Sequence, residues 1–289
     1  MNEPLLSVCL ITYNHANYIK EAIDSVLNQK VDFSWELIIA DDCSTDGTTK
    51  IIEEYKKVKP GLVTLIHQKT NVGAGENWIR LLSAPNSKYI AYLEGDDYWV
   101  DPLKLKKQVD FLEENPDFTA CFHNVKIIDT NNEFSGLIYP LNRKTIIDLQ
   151  DLLEDDYMKS CSIVFKNDST LLKDLLDRKI PPDDTSLGYC LLSRGNKAKY
   201  FEEIMAVYRI HPGGTWSKLS ADQQNEWVLK DFKQRYRYYF YNTKIKQGVK
   251  IKLLKLLRIE INSKIKKIKI YSALKHLIEF LRYKYLNFK

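Results

Sequence analysis

The chain lacks the features that would place it across a membrane or in an oxidising compartment. Its 289 residues contain no run close to the roughly 18 consecutive apolar residues of a membrane span. Its five cysteines are scattered and form no CxxC pair, which argues against a disulfide framework or zinc site and favours a cytosolic protein. The N-terminal stretch has no basic segment and no cleavage pattern, so we expect no signal peptide.

The chain also has no Pro- or Gly-rich linker and no internal repeat, but its charge is unevenly distributed. Its 44% of hydrophobic residues is enough for a sizeable core. Residues 243–289 have a net charge of +12, whereas all the other residues sum to −7. A basic segment joined to an acidic body indicates an anionic partner surface. We expect one domain over residues 1–240 and a basic tail over residues 241–289.

The first hundred residues alternate between short apolar runs and amphipathic segments. Four apolar runs predict buried strands, at Leu5–Thr12, Trp35–Ala40, Leu62–His67 and Tyr89–Leu93. Helix-period segments separate these runs, and this rhythm predicts βαβ units with a parallel sheet. From residue 118 onward the pattern changes to mixed α+β, with strands predicted over Thr119–Ile128 and Cys161–Lys166.

Three acidic side chains directly follow the fourth predicted strand, in the sequence EGDD. Glu94, Asp96 and Asp97 repel one another, which raises their pKa values unless a cation lies among them. Mg²⁺ and Mn²⁺ take oxygen ligands, commonly one or two carboxylates together with substrate phosphates. The stretch therefore indicates either a metal and phosphate site or an acidic turn built from good turn-forming residues.

Polar side chains also follow the first two predicted strands. Tyr13 comes after the first strand, and Asp41 and Asp42 come after the second. Because parallel strands end at one edge of a sheet, these residues should meet the EGDD acids there. Tyr13 would suit a nucleobase by stacking, and Asp42 by accepting an N–H. The alternative for the aspartates is an Asx turn and helix cap, and we expect both roles, divided among the acids of this loop.

The basic tail contains two helix-period patterns. Apolar side chains line one face of each, at Val249, Leu253, Leu256 and Leu257, and at Ile270, Leu274, Leu277, Ile278, Leu281 and Tyr285. Basic amphipathic helices bind anionic membranes or pack on a partner. The alternative is a pair of ordinary helices that pack on the domain and expose their lysines. The density of lysines favours an anionic membrane surface as partner of residues 243–289.

Several motifs occur in an order that resembles a known family. They are LSVCLITYNH, ELIIADDCSTDGT, NVGAGENW and YIAYLEGDDYW, followed by PPDDTSLGYCLLSRG and VYRIHPGGTWS. This ordered set resembles the family 2 inverting glycosyltransferases of the GT-A fold, over residues 5–218. The resemblance implies a Rossmann-like α/β fold, with a mostly parallel sheet flanked by helices, a mixed α+β acceptor half and a C-terminal helical tail. Residues 1–100 would form the nucleotide-sugar-binding half and residues 101–240 the acceptor-side half.

The resemblance also implies a nucleotide-sugar donor, with UDP as the expected nucleotide, and a divalent metal ion, Mn²⁺ or Mg²⁺. The residues implied to contact the donor are Ile11, Tyr13, Asp42, Asn71 and Asp96. Asp96 would lie toward the ribose, Asp97 would hold the metal on the diphosphate, and His211 would bind the metal or the diphosphate. The chain has Glu94 where the family more often has Asp.

Inverting transfer needs a carboxylate that takes the acceptor's proton as the acceptor oxygen attacks the sugar. The resemblance places this base at Asp184, with Asp183 as the neighbouring rival. The alternative for both acids is a helix N-terminus, whose dipole favours negative charge. Trp99 is interpreted as a sugar platform or a core residue. Lys104 is interpreted as a phosphate contact or, in preference, as part of a solvated helix face.

The predicted function is transfer of a hexosyl or N-acetylhexosaminyl group to a glycan or polyprenyl-diphosphate-linked sugar, in capsule, O-antigen or exopolysaccharide biosynthesis. We expect a cytoplasmic protein at the inner face of the cell membrane, with no nucleic-acid partner because its body is acidic. A processive synthase would have a QxxRW element, whereas residues 223–227 read QQNEW. A sugar nucleotidyltransferase would have a glycine-rich first loop with an Arg, unlike TYNH. The other alternative is a non-catalytic nucleotide- or glycan-binding scaffold with the same fold.

Overall fold

The chain forms two compact units, each described here by itself. The computed structural model describes residues 3–129, 131, 133–140, 144–154, 158–177, 182–214, 218–238, 243–266 and 270–285. The first unit comprises Met1–Leu152 and Asp156–His211, and the second comprises Leu153–Asp155 and Pro212–Lys289.

One sheet organises the first unit. Its described strands are β1 (Leu6–Thr12), β2 (Trp35–Asp41), β3 (Val63–His67), β4 (Tyr89–Glu94), β5 (Tyr98–Trp99), β6 (Phe118–Ile128), β7 (Phe134–Tyr139), β8 (Ile146–Ile147), β9 (Val164–Lys166) and β10 (Lys197–Arg209). The order is β3-β2-β1-β4-β9-β6-β10-β5, with β7 on β6 and β8 on β10. The strands β3, β2, β1 and β4 are parallel, as expected from the βαβ rhythm. The change of pattern after residue 118 corresponds to β9, which runs antiparallel to both β4 and β6.

Helices connect these strands. Those before the second unit are α1 (Ile19–Leu27), α2 (Thr48–Val58), α3 (Ala74–Leu82), α4 (Lys104–Glu114), α5 (Leu149–Glu154), α6 (Ser169–Leu176) and α7 (Asp184–Leu192). The buried face of α1 has the predicted spacing, from Ile19 to Val26. α4 begins two residues after Pro102, and the Asp101 carboxylate accepts the Leu103 N–H (2.8 Å) in an Asx turn just before it.

The central strands are mostly apolar because both of their faces are covered. Val8 on β1 pairs with Leu37 on β2 and with Ala91 on β4, and all three side chains are buried. Full burial of each Leu, Ile or Val contributes about 1.5–3 kcal/mol relative to exposure, which holds this register. The same register aligns the carboxyl ends of the strands, and the loops that follow them therefore share one edge.

The second unit consists of α8 (Ala221–Tyr238), α9 (Thr243–Lys266) and α10 (Ile270–Tyr285). On α9, Val249, Leu253 and Leu257 are fully buried, and Leu229 and Phe232 of α8 are also buried. These side chains of α9 are therefore buried rather than exposed to solvent. The second unit includes α8 together with α9 and α10. The sequence pattern predicted the boundary between domain and tail near residue 240, after α8. No helix in the described part of the chain is both long and apolar enough to cross a membrane.

Candidate active site

The loops after β1, β2 and β4 meet at the carboxyl edge of the sheet. Thr12 pairs with Asp41, and Ile11 pairs with Glu94, at the ends of adjacent strands. The loop after β1 is held by the loop after β2. The His15 N–H donates to Thr48 Oγ1 (2.9 Å), and neighbouring N–H groups donate to side chains of residues 44 and 46. These bonds fix where His15 enters the site.

Asp41 and Asp42 divide their roles, and both of them are buried. Asp41 accepts hydrogen bonds from the Ser44 N–H and from the Ser44 and Thr49 hydroxyls, so it holds its own loop and the first turn of α2. The Asp42 carboxylate accepts the Val72 N–H (2.7 Å) and the Gly73 N–H (2.9 Å). Asp42 therefore fixes the loop before α3. Its contact with a base stays a prediction, for which each oxygen retains a second lone pair.

The other residues expected to contact the donor lie near the loop before α3 and the carboxyl edge of the sheet. Tyr13 is 43% exposed and Asn71 is also exposed, with the Asn71 side-chain oxygen accepting the Gly73 N–H (3.1 Å). Ile11 is half-buried beside Glu94. An exposed aromatic ring at a polar edge is available for stacking, whereas Ile11 offers mainly its backbone.

The EGDD turn directs its two aspartates in opposite ways. Asp96 Oδ2 lies 2.9 Å from His211 Nε2 and 3.8 Å from His15 Nε2. Asp97 is buried, and its Oδ1 accepts the Arg209 backbone N–H (2.9 Å). The expected roles, with Asp97 on the metal and Asp96 toward the ribose, stay predictions. Asp96, and not Asp97, faces His211.

Burial and neighbouring charges shift the pKa values of all three acids of the turn. Burial raises the pKa of Glu94 to about 8, against a hydrogen bond from Ser160 and with the help of nearby negative charges. Burial also raises the pKa of Asp97 well above its ordinary value, and the charge on Asp96 acts in the same direction. Burial also acts to raise the pKa of Asp96. The hydrogen bond from His211 outweighs this effect, so the pKa of Asp96 is lowered. Asp96 is thus the acid of this turn that stays ionised.

His15, Asp96 and His211 form a set of side chains that fits a metal ion. One ligand atom from each lies within 4.8 Å of the others, and no other such trio occurs among the described residues. Metal–ligand distances of about 2.0–2.2 Å place two ligands at most about 4.4 Å apart, so small rotamer changes suffice. Burial lowers the pKa of His15, against the charge on Asp96, which favours the neutral imidazole that metals bind.

Arg209, at the end of β10, holds the acidic turn in place. Its Nε donates to the Asp96 carbonyl (3.0 Å), and its guanidinium also donates to Glu21 on α1 (2.6 Å). The guanidinium lies over the rings of Tyr18 and Tyr98. The sequence analysis missed Arg209, although its place just before the predicted site residue His211 is a signal that could have found it.

The acceptor-side acids lie at the start of α7. Asp183 is the N-cap, and its carboxylate accepts the Ser186 N–H (2.8 Å). Asp184 is the first helical residue, partly exposed, and its charge contributes to the raised pKa of Glu94. A methyl group on Gly75 would lie 2.8 Å from the Pro182 ring, so the loops that carry the donor-side and acceptor-side residues touch.

Trp99 and Lys104 are core residues. Trp99 is buried, and its indole N–H donates to the Cys161 carbonyl (2.9 Å), so the sugar-platform interpretation is wrong. Lys104 is fully buried, with its Nζ 4.1 Å from the centre of the Trp99 ring. Both the phosphate and the solvated-face interpretations of Lys104 are therefore wrong, because its amine lies under an indole.

Comparison with known protein sequences gives a consistent result. The model of glycosyl transferase family 2 matches residues 7–170. The uncharacterized protein Rv1520 of Mycobacterium tuberculosis is 36% identical over 225 residues, covering 78% of this chain and 64% of that protein. The putative teichuronic acid biosynthesis glycosyltransferase TuaG of Bacillus subtilis is 38% identical over 112 residues, covering 39% of this chain and 43% of that protein. The chain thus spans less than two thirds of the length of these relatives.

Solved structures share the fold. TarS of S. aureus (residues 1–349), in complex with UDP-GlcNAc, matches with a TM-score of 0.70 and 19% identity, covering 96% of this chain and 81% of that chain. The mannosyltransferase PcManGT of Pyrobaculum calidifontis, in complex with GDP-Man and Mn²⁺, matches with a TM-score of 0.59 and 16% identity, covering 100% and 77%. At these identities the likeness shows the fold alone.

The mixed sheet, with acidic loops at the carboxyl edge of its parallel strands, defines an α/β fold of the GT-A class. Since its model covers more than half of the chain, the protein belongs to family 2 of the glycosyl transferases. The family and the fold class predicted from the ordered motifs are both confirmed.

Proposed function

We propose that the protein transfers a sugar, with inversion, from a nucleotide-sugar to a hydroxyl of a glycan or lipid-linked sugar in surface polysaccharide biosynthesis. One observation carries the proposal: the Asp96–His211 pair and Asp184 lie around the same acidic turn. A site for a metal–diphosphate and a carboxylate for proton transfer are the two parts that this reaction needs.

We infer a UDP-sugar as the donor, bound at the edge where β1 and β2 end. Tyr13 would stack on the base and Asp42 would accept an N–H from it, with Ile11 and Asn71 beside them. This inference is supported by the UDP-GlcNAc held by TarS and by the ordered motifs, while PcManGT, which holds GDP-Man, shows that the fold also takes another nucleotide.

We infer that Asp96 and His211 hold a divalent metal ion on the donor diphosphate, with Mn²⁺ and Mg²⁺ as the candidates. A bound ion there offsets the charge that grows on the leaving diphosphate. Arg209 keeps the turn in position, because it holds both the Asp96 carbonyl and the Asp97 carboxylate. The Mn²⁺ in PcManGT supports this proposal.

We assign proton transfer to Asp184. The acceptor oxygen attacks the anomeric carbon, the bond from that carbon to the diphosphate oxygen breaks, and the acceptor proton passes to the Asp184 carboxylate. Asp183 stays the neighbouring rival: its carboxylate accepts the Ser186 N–H as the cap of α7, while that of Asp184 accepts the Thr185 N–H. Attack on the face opposite the leaving group inverts the anomeric configuration.

The proposal extends to an anionic membrane surface as the place of the acceptor. On α10, Leu277, Ile278 and Leu281 are exposed on one side of the helix, and Lys275 and Lys284 are exposed as well. Exposed apolar side chains flanked by lysines are typical of helices that bind anionic lipid surfaces. The side chains of the other predicted residues of this face lie outside the described part of the chain.

The test measures donor binding and transfer separately in the Asp184→Asn variant. We expect this variant to bind UDP with Mn²⁺ as the wild type does and to lose at least about 100-fold in transfer rate, as for removal of a general base. The matched control is Asp183→Asn, which should keep both the cap of α7 and transfer, because Asn caps a helix about as well as Asp. Normal turnover in Asp184→Asn would remove that residue from the mechanism. A wild type that binds nucleotide-sugars but releases no sugar from any of them would favour the scaffold alternative.

A further inference from the structure

His15 is held in the site by contacts on both sides of its ring. Its Nδ1 lies 3.2 Å from Thr12 Oγ1, and its Nε2 faces Asp96 at 3.8 Å. The ring meets that of His211 edge to face, with 6.0 Å between the ring centres. His15 thus lies on the same side of Asp96 as His211, in a loop that the backbone bonds of the active site already fix.

The Thr12 hydroxyl orients the imidazole of His15. When Thr12 Oγ1 accepts the proton of Nδ1, the lone pair of Nε2 points toward Asp96 and His211. Metal-binding histidines almost always donate their other ring N–H in this way, which fixes tautomer and ring orientation. The Thr12–His15 distance of 3.2 Å is compatible with this hydrogen bond.

Gly95 makes this approach possible. A methyl group on Gly95 would lie 2.7 Å from Thr12 Oγ1 and 3.0 Å from His15 Nδ1. Any other residue at this position would push apart the two side chains that set the ring. The glycine of the EGDD turn therefore allows the β4 turn to pack directly against the Thr12–His15 pair.

We propose that His15 is a third protein ligand of the metal that binds the donor diphosphate, and that the site therefore selects Mn²⁺ over Mg²⁺. This inference rests on the proposed function, and it adds a ligand from the first loop and a metal preference. Two imidazole nitrogens and one carboxylate oxygen suit first-row transition metals, whereas Mg²⁺ prefers oxygen ligands and keeps several waters. The remaining coordination positions are available to diphosphate oxygens and water.

The test measures binding of Mn²⁺ and of Mg²⁺ to the full chain in the presence of UDP, by calorimetry. We expect the wild type to bind Mn²⁺ at least about tenfold more tightly than Mg²⁺, and His15→Gln to lose most of this preference. Thr12→Val keeps all three ligands but removes the orienting hydroxyl, and should weaken Mn²⁺ about 10-fold. The matched control is His67→Gln, a histidine outside the trio, which should bind both metals as the wild type does.

A spectroscopic measurement shows whether His15 touches the metal. Pulsed electron paramagnetic resonance of the Mn²⁺-loaded protein should show two bound imidazole nitrogens in the wild type and one in His15→Gln. An unchanged Mn²⁺ affinity and two nitrogens in His15→Gln would overturn the assignment of His15 and leave the proposed function intact. If the wild type binds neither metal with UDP, the proposed function fails together with this inference. If His15→Gln does not fold, the Thr12→Val variant provides the test. An Mn²⁺ affinity of Thr12→Val equal to that of the wild type would contradict the inference.

Discussion

Lys104 gives a prediction about stability whose size can be worked out from the structure. Its Nζ is fully buried, has no hydrogen-bond partner among the described residues, and lies over the Trp99 ring at 4.1 Å. Burial lowers the pKa of Lys104 from 10.5 to about 7. We predict that Lys104→Met, which keeps an apolar side chain of similar length and removes the amine, stabilises the protein at neutral pH.

The magnitude follows from linkage between protonation and folding. The difference between 10.5 and about 7 corresponds to about 5 kcal/mol, at about 1.4 kcal/mol for each pH unit. The contact of the ammonium with the indole offsets about 2 kcal/mol of this. We therefore expect Lys104→Met to raise the free energy of unfolding by about 2–4 kcal/mol near pH 7.

The sign of the pH dependence is fixed by the direction of the shift. Because the folded-state pKa is lowered, the unfolded chain binds the proton more tightly between pH 7 and about 10. The cost of burying Lys104 is full below pH 7 and disappears as the pH rises toward 10.5. The stability gained by Lys104→Met should therefore shrink as the pH is raised.

Urea unfolding of both proteins at pH 6, 7, 8 and 9 checks this prediction. Other groups that titrate in this range cancel when the variant is compared with the wild type at each pH. The matched control is Lys106→Met on the same helix, whose amine is paired with Asp32 and Asp110 at the surface. Surface ion pairs contribute little to stability, so this control should change stability little and equally at each pH. A Lys104→Met variant that is less stable than the wild type at every pH would refute the reasoning.

Three further predictions concern the active site and α10. Asp96→Asn should abolish Mn²⁺-dependent binding of UDP in calorimetry, whereas Asp97→Asn should keep most of it, because Asp97 points into the core. Gly95→Ala should destabilise the protein by about 1–3 kcal/mol in urea unfolding, since its methyl group would overlap Thr12; equal stability would contradict the packing. Ile278→Glu should reduce sedimentation with anionic vesicles without lowering the melting temperature, because Ile278 is 67% exposed; unchanged sedimentation would argue against membrane contact through α10.

The sheet could be predicted from the sequence because its central strands are covered on both faces. Leu6–Thr12 and Trp35–Asp41 are apolar almost throughout, so their limits appear directly in the sequence as continuous apolar runs. The start of α4 was harder to predict. Pro102 is a good first helical residue by itself, but the Asx turn at Asp101 delays the helix.

The directions of the Asp96 and Asp97 side chains could not be predicted from the EGDD motif alone. Asp97 is held by the backbone N–H of Arg209, which lies 112 positions after it, whereas the Asp96 carboxylate faces His211. Sequence spacing also gave no sign of His15, since its place beside Asp96 depends on how the loop after β1 is tied to β2. The sequence likewise suggests a solvated Lys104, because the indole of Trp99 that covers its amine becomes evident only in the structure.

The most direct test of the proposed function is thermal stabilisation of the protein by UDP-, GDP-, dTDP- and CMP-sugars, with Mn²⁺ and with EDTA. Ligands that bind only the folded state raise the melting temperature in proportion to their affinity. The account predicts stabilisation by UDP-sugars that requires Mn²⁺ and disappears with EDTA. Stabilisation that persists in EDTA, or none with any nucleotide-sugar, would contradict a metal-dependent donor site at the carboxyl edge of this sheet.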